Sequence, residues 1–194
     1  NFLGIEKRRW VLADENTLPI TQSKQASIGM SYDKNKLYVG LEGFYKFVKG
    51  ISTLTQGFQN EDQFNGELGQ YTVNGLEFLI NQKTRTLSNW FTYTFNNNRY
   101  RFTSLTPSNF PNNLDITHTL TLASTYTFQD LKLGVGLNYR TGRPYTKPQE
   151  GSAALNTNTF PFVINYQSTD SSRLPDYLRA DVSLLYDFKI SKAI

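Results

Sequence analysis

A strict two-residue alternation of apolar and polar side chains returns in segment after segment of this chain, most clearly at Leu131 to Arg140 and Leu178 to Phe188. In the first, Leu131, Leu133, Val135, Leu137 and Tyr139 alternate with Lys132, Gly134, Gly136, Asn138 and Arg140. In the second, Leu178, Ala180, Val182, Leu184, Tyr186 and Phe188 alternate with Arg179, Asp181, Ser183, Leu185 and Asp187, and only Leu185 breaks the pattern. Successive side chains of a strand point to opposite faces, so each segment builds one apolar wall and one polar wall. A membrane β-barrel, with lipid outside and water inside, needs that surface.

The mean hydropathy of −0.48 and the 38% hydrophobic content are those of a soluble protein, but they do not exclude a barrel. A transmembrane strand needs only about 9 to 11 residues with alternate ones apolar, whereas a spanning helix needs a run of about 18, which this sequence lacks. The 14% aromatic content, with 12 Tyr and 14 Phe, suits pleated surfaces and interfacial girdles. The absence of Cys removes disulfides and Cys-based zinc sites, and the one His leaves no His cluster for a metal, so no cofactor is expected. The net charge of +4 is scattered rather than gathered into a basic stripe, which argues against nucleic acid as a partner. Asn1 to Trp10 carries Glu6, Lys7, Arg8 and Arg9 with no apolar run after it, so no signal peptide is expected there.

The pattern predicts seven strands. Gln25 to Tyr32 turns through Asp33-Lys34-Asn35-Lys36 into Leu37 to about Val48. Lys49 to Gln70 reads as a long loop. Tyr71 to Lys83 turns through Thr84-Arg85-Thr86-Leu87 into Ser88 to Phe102, whose end carries Asn98, Arg99 and Arg101. Thr103 to Ile116, with Pro107 and Pro111, reads as a second loop because proline cannot donate to a ladder. Thr117 to Phe128 turns through Gln129-Asp130 into Leu131 to about Thr141. Gly142 to Asp176 is a third loop, and Tyr177 to Ile190 is the seventh strand. Short turns thus alternate with long loops, the asymmetry of outer-membrane barrels. A soluble sandwich would use strands of about 5 to 6 residues and more even loops.

Several segments also carry a resemblance. Phe110-Pro111-Asn112-Asn113-Leu114-Asp115 followed by His118-Thr119-Leu120, Tyr139-Arg140-Thr141-Gly142-Arg143-Pro144-Tyr145-Thr146, and Arg173-Leu174-Pro175-Asp176-Tyr177-Leu178-Arg179-Ala180-Asp181-Val182-Ser183 are the main ones. Gly75 to Ile80, Trp90 to Phe95, and Asp14-Glu15-Asn16 with Pro19 agree in order. Together they resemble the C-terminal barrel half of TonB-dependent outer-membrane receptors, in the style of Bacteroidetes-like bacteria. The resemblance implies an all-β fold: an antiparallel transmembrane β-barrel of about 22 strands, of which seven are present. It also implies a plug domain, an N-terminal signal and a TonB-contacting segment. The chain departs from that pattern: it ends at Ile194 without the closing strand and terminal aromatic, so residues 1 to 194 are expected to be an incomplete C-terminal part of the barrel. A spanning sheet cannot leave edge amides unpaired in lipid.

Individual residues have plain readings. His118 reads as structural or interfacial, and Glu61 and Asp62 as solvated loop charges rather than an acid-base pair or calcium site. Gly142-Arg143-Pro144 is not a phosphate loop, because no helix follows it. Gly134 and Gly136 lack the βαβ context of dinucleotide binding. No nucleophile stands near a base, so an enzyme is not expected.

Leu120, Leu122, Leu133, Val135, Leu137, Val182 and Leu184 are expected to face lipid, with Tyr32, Tyr45, Phe47, Tyr126, Phe128, Tyr186 and Phe188 as the interfacial girdle. The lumen-facing polar wall is expected to hold Glu42, Lys46, Arg140, Arg179 and Asp181, with Thr92, Thr94, Thr119, Thr121, Lys132 and Asn138. Arg99, Arg101, Arg143, Tyr145 and Arg173 are the candidates for substrate or loop-closing contacts, since loops carry specificity. By resemblance the activity is import energised through TonB. The expected partners are the TonB complex, outer-membrane lipid and lipopolysaccharide, a surface lipoprotein lid, and a small-molecule, glycan or peptide substrate. A passive porin or structural outer-membrane barrel and a soluble all-β carbohydrate-binding module are the alternatives.

Overall fold

The computed structural model describes residues 13–14, 18–53, 66–158 and 160–188. Readings placed on Asn1 to Trp10, Glu15, Asn16, Glu61, Asp62, Ile190 and Ile194 lie outside the described residues. In chain order the strands are β1 (Gln22–Lys34), β2 (Leu37–Ser52), β3 (Leu68–Lys83), β4 (Leu87–Arg101), β5 (Asn109–Pro111) and β6 (His118–Phe128). They continue with β7 (Leu131–Arg140), β8 (Pro144–Tyr145), β9 (Leu155–Asn156), β10 (Val163–Ile164), β11 (Ser172–Arg173) and β12 (Tyr177–Tyr186). The seven long strands form one antiparallel meander in the order β1-β2-β3-β4-β6-β7-β12, with β5 added to the end of β4.

Tight turns close one end of the meander. Asn35 and Lys36 both have positive φ, 50° and 68°, the conformation of a two-residue turn whose twist matches that of the strands. Thr84 closes the β3–β4 turn, its hydroxyl accepting from the Leu87 amide at 2.9 Å and its own amide donating to the Leu87 carbonyl at 2.7 Å. Gln129, φ 53°, turns β6 into β7.

The strands run longer than periodicity predicts at the other end. β2 extends to Ser52 and β3 begins at Leu68, so both ends of the stretch read as a loop from Lys49 to Gln70 are strand. A bulge between Lys49 and Ile51, built on Gly50 at φ 76°, puts an extra residue in β2 and breaks the alternation there. Asn109–Pro111, read as loop, adds as a short edge strand to β4, where a terminal proline is tolerated. β12 stops at Tyr186, so Phe188 lies just past the strand.

Register sorts the side chains into two faces. One row of directly opposed residues runs Met30, Leu41, Phe78, Tyr93, Leu120, Tyr139, Leu178. The next runs Tyr32, Val39, Ile80, Phe91, Leu122, Leu137, Ala180. Opposed residues share a face, so these form one continuous apolar surface. It is bare: Ile28 is 82% exposed, Val182 75% and Met30 73%. Patches that large on a water-soluble monomer are rare. No Asp or Glu stands on this face in any of the seven long strands.

The apolar band also crosses the sheet obliquely. Its centre lies near Glu42 in β2 and at Val182 in β12, and the Val182 row runs back through Val135, Ser124, Asn89 and Gln82 to Leu37. That is a shift of about five residues over five strand spacings, or a strand tilt of roughly 35°, the value of membrane barrels. Phe95 shares a row with Gly43, two residues below Tyr45 and two strands away from it. Tyr139 shares a row with Leu41, four residues below and four strands away. The tilt therefore brings Tyr45, Phe95 and Tyr139 to one level. The same offset brings Tyr32, Tyr126 and Tyr186 to a second level, about seven residues or roughly 20 Å closer to the turns, so the two sets have the spacing of a pair of girdles.

Candidate functional site at the loop end

Opposite the apolar band, the other face carries every residue read as polar wall. Glu42, Glu77, Thr94, Thr119, Arg140 and Tyr177 form one row, and Thr92, Thr121, Asn138 and Arg179 share the next. Lys46 and Asp181 point the same way by register. The Arg179 guanidinium donates to Asp181 Oδ1 at 2.9 and 3.1 Å, and Arg140 stacks over the Tyr177 ring at 4.9 Å. Glu42 stands directly opposite Glu77, a like-charge pair whose repulsion only water or a cation can relieve.

Past the polar rows, chain segments fold over this face and build the only compact core among the described residues. Val48, Ile51, Tyr100, Phe102, Leu105 and Phe110 are buried, with Tyr71 against them. Phe102 and Phe110 stack at 6.1 Å, and Tyr100 packs at 5.7 Å from each. Gly69 makes the room, since a Cβ there would sit 2.5 Å from the Phe102 ring. Phe102 donates its amide to the Ser108 carbonyl at 2.9 Å, and Asn112 donates to that of Asn98 at 2.9 Å. The segment after β4 thus folds back onto the strand that precedes it.

Asp115 is the hinge between this core and the long loop before β12. It is buried and accepts from the Asn98 amide at 2.8 Å and from the Thr117 hydroxyl at 3.2 Å. Arg173 reaches it from β11, forming an ion pair with its carboxylate and donating to the Asp115 carbonyl at 3.1 Å and the Gly142 carbonyl at 2.9 Å. Gly142 must be glycine: a Cβ would lie 1.6 Å from the Leu174 carbonyl oxygen. Asp176 accepts from the Tyr139 hydroxyl at 2.6 Å and the Gly142 amide at 2.9 Å, and these donors hold its carboxyl below the usual range.

The long loop itself is an irregular hairpin. β8 pairs with β11 and β9 with β10, and the chain between is bridged at Pro148 and Tyr166. Asp170 is buried in its stem, with its amide donating to the Thr146 hydroxyl at 3.0 Å. Burial pushes its carboxyl up to about 6. The tip presents Phe160 and Phe162, edge to face at 5.8 Å, beside exposed Val163 and Ile164.

The five loop candidates separate into two groups. Arg143, Tyr145 and Arg173 come together on the paired β8–β11 stem, Arg173 as its clamp. Arg99 and Arg101 lie elsewhere, on the face that carries the apolar band, in rows with Lys24 and Lys49. Arg99 bonds Asn109 Oδ1 at 2.8 Å. His118 also lies on the apolar-band face, its Nδ1 2.8 Å from the Tyr93 hydroxyl. Sequence reasoning passed over Asp115, Asp176 and Asp170 as functional residues. Asp115 and Asp176 had one signal, a Pro or Pro-Asn-Asn cluster just before a predicted strand, and Asp170, inside the long loop after Ser168-Thr169, had none.

The arrangement orders loops over the polar face and assembles no nucleophile and base among the described residues. A family model described as TonB dependent receptor-like, beta-barrel matches residues 13–193. No curated protein matches the chain significantly. A tilted antiparallel wall, apolar on one face and polar on the other, is what that description requires, and the chain belongs to the TonB-dependent receptor-like β-barrel family, whose members are outer-membrane receptors and transporters rather than enzymes.

Proposed function

We propose that this chain forms part of the wall and mouth of an outer-membrane receptor that binds a substrate at its external loops and imports it with energy transmitted through TonB. The observation that carries the reading is the division of labour between the two ends of the wall. One end is closed by turns of two or three residues, and the other carries a packed, clamped loop assembly on the polar face. In a barrel the acid-free apolar face meets lipid and the polar rows line the lumen. Glu42, Lys46, Arg140, Arg179 and Asp181 then face the passage, and Glu42 with Glu77 presents negative charge to whatever fills it.

The long loop supplies the capture surface. Arg143 and Tyr145 lie on its clamped stem, and Phe160 and Phe162 give its tip an apolar contact for substrate or for a lipoprotein lid. A stem held by Arg173 and Asp115 positions that tip without reordering cost at each binding event. Uptake of labelled ferric chelate, corrinoid, oligosaccharide and peptide is the test, in cells carrying the native protein with and without TonB. Uptake of one class that vanishes without TonB is expected. Uptake that persists at the same rate without TonB would make the protein a passive pore.

A further inference from the structure

Asp115 and Asp170 are the buried acids among the described residues, and Asp115 alone has a cation. Arg173 pairs with Asp115 at the base of the long loop. Further along, the chain bulges out of the hairpin at Ser168 to Ser171, where the Ser171 amide donates to the Ser168 carbonyl at 3.2 Å and Asp170 takes its positive φ of 51°. The bulge turns Thr169 and Asp170 inward, each 7% exposed. It brings the Asp170 carboxylate within electrostatic reach of Tyr100 in the aromatic core.

The groups around Asp170 do not compensate a charge on it. Its Oδ1 is 3.4 Å from the Thr146 hydroxyl, which also accepts the Asp170 amide at 3.0 Å. Its Oδ2 is buried with no hydrogen-bond partner among the described residues. From β4 the facing group is the neutral phenol of Tyr100. On β11 Arg173 is committed to Asp115, and after β8 Lys147 is paired with Glu150, while Arg143 before β8 is exposed. A buried carboxylate with an open oxygen is costly, whereas the protonated acid is a small neutral group. Ionisation therefore favours any movement that returns Asp170 to water. Such a movement is available, because beyond the Arg173 clamp the loop is paired through the Pro148–Tyr166 bridge and the two-residue β9–β10 ladder, short pairings of the kind that open locally.

We propose that Asp170 is a proton-operated latch on the long loop: with its carboxyl protonated the stem stays packed against the Tyr100 core, and with the proton gone the stem beyond the Arg173 clamp is released toward water. The consequence for capture rests on the reading of this loop as the external capture surface, which the latch would hold shut in acid surroundings and free near neutrality. Burial holds the closed-state carboxyl at about 6, and opening returns it to 3.8. The ratio of open to closed stem then rises about tenfold between pH 5 and pH 7.5.

The experiment is hydrogen–deuterium exchange of the native protein in lipid vesicles across that pH range, with protection corrected for the intrinsic exchange rate at each pH. Peptides covering residues 146 to 170 are expected to lose protection about tenfold with a midpoint near pH 6, while the strand turns stay unchanged. Asp170→Asn is expected to keep those peptides at the protection the native protein has at pH 5 throughout. If that variant does not fold, the native profile decides by itself. A flat profile at residues 146 to 170, an equal loss of protection at the turns, or an undiminished pH response in Asp170→Asn would overturn the latch. A latch that titrates in a protein whose uptake is independent of TonB counts against the transport reading alone. A flat profile in a protein whose uptake needs TonB counts against the latch alone.

Discussion

The two ends of the sheet close the chain by different physics. At the turn end each connection is local: Asn35 and Lys36, Thr84 to Thr86, and Gln129 with Asp130 reverse the strands with dihedral angles and hydrogen bonds spanning a few residues. At the loop end closure is built from distant parts. Phe110 packs on Tyr100, and Arg173 joins Asp115 across 58 positions of sequence. The turn end therefore depends on single residues, and the loop end on a cooperative core whose members fail together.

Phe102→Ala strikes that core at its centre. Phe102 is fully buried between Tyr100, Phe110 and the bare backbone of Gly69, and a cavity of this size costs about 3–5 kcal/mol. Urea unfolding of the protein in lipid vesicles should show that loss. If the loop end is cooperative, protease cutting between residues 103 and 116 should rise as well. A loss below 1 kcal/mol would mean that the loop end is held piecewise, like the turns.

Asp115→Asn comes next. The carboxylate is buried while the Arg173 side chain is 39% exposed, so the pair falls short of a fully buried one. Its removal should cost about 2–3 kcal/mol. Arg173→Lys should recover part of this, since one ammonium cannot bond the carboxylate and both the Asp115 and Gly142 carbonyls in the same geometry. Unfolding midpoints in the order native, Arg173→Lys, Asp115→Asn check this. Equal midpoints for all three would show that the clamp is ornamental to stability.

The contrast also governs what the amino-acid sequence discloses. Strict alternation at Leu131 to Arg140 and Leu178 to Tyr186 needs only period two, so the long strands, the faces and the order of short turns and long loops were legible. Gly50 hid the end of β2, because a bulge shifts the period by one residue. Pro111 hid β5, because a strand that short shows no alternation. The loop-end candidates were read from residue type, which singled out Arg173 but gave no means to see that Asp115 receives it or that Arg99 and Arg101 turn to the other face. Those facts depend on register and on contacts far apart in sequence, and no local pattern encodes them.

Asp170 tests whether the loop stem carries an electrostatic cost that the turns do not. Burial raises its folded-state carboxyl to about 6 from 3.8. Between those values the folded chain holds a proton that the unfolded chain has lost, so stability falls as pH rises from about 4 to 6 and is flat above. Asp170→Asn keeps the side chain's shape and the positive φ of 51°, which asparagine accepts. It should stabilise the protein by on the order of 1–3 kcal/mol at pH 7 and by little at pH 4. Unfolding of both forms at the two pH values measures this, and an equal gain at both would remove the charge as the cause.

The smallest effect belongs to the turn end, and its smallness is the point. Lys36 holds φ 68° with a side chain that this conformation disfavours, while Asn35 before it is suited to φ 50°. Lys36→Gly removes the strain but adds freedom to the unfolded chain, so the net gain should be about 0.5–1 kcal/mol. Because the turn is local, the gain should appear unchanged in the Phe102→Ala background, 66 positions away along the chain and at the opposite end of the sheet. Strict additivity in a double-mutant cycle would confirm that the two ends are energetically separate. A coupling above about 0.5 kcal/mol would mean that strand tilt and register carry strain through the whole wall, and the two ends would then be one cooperative unit.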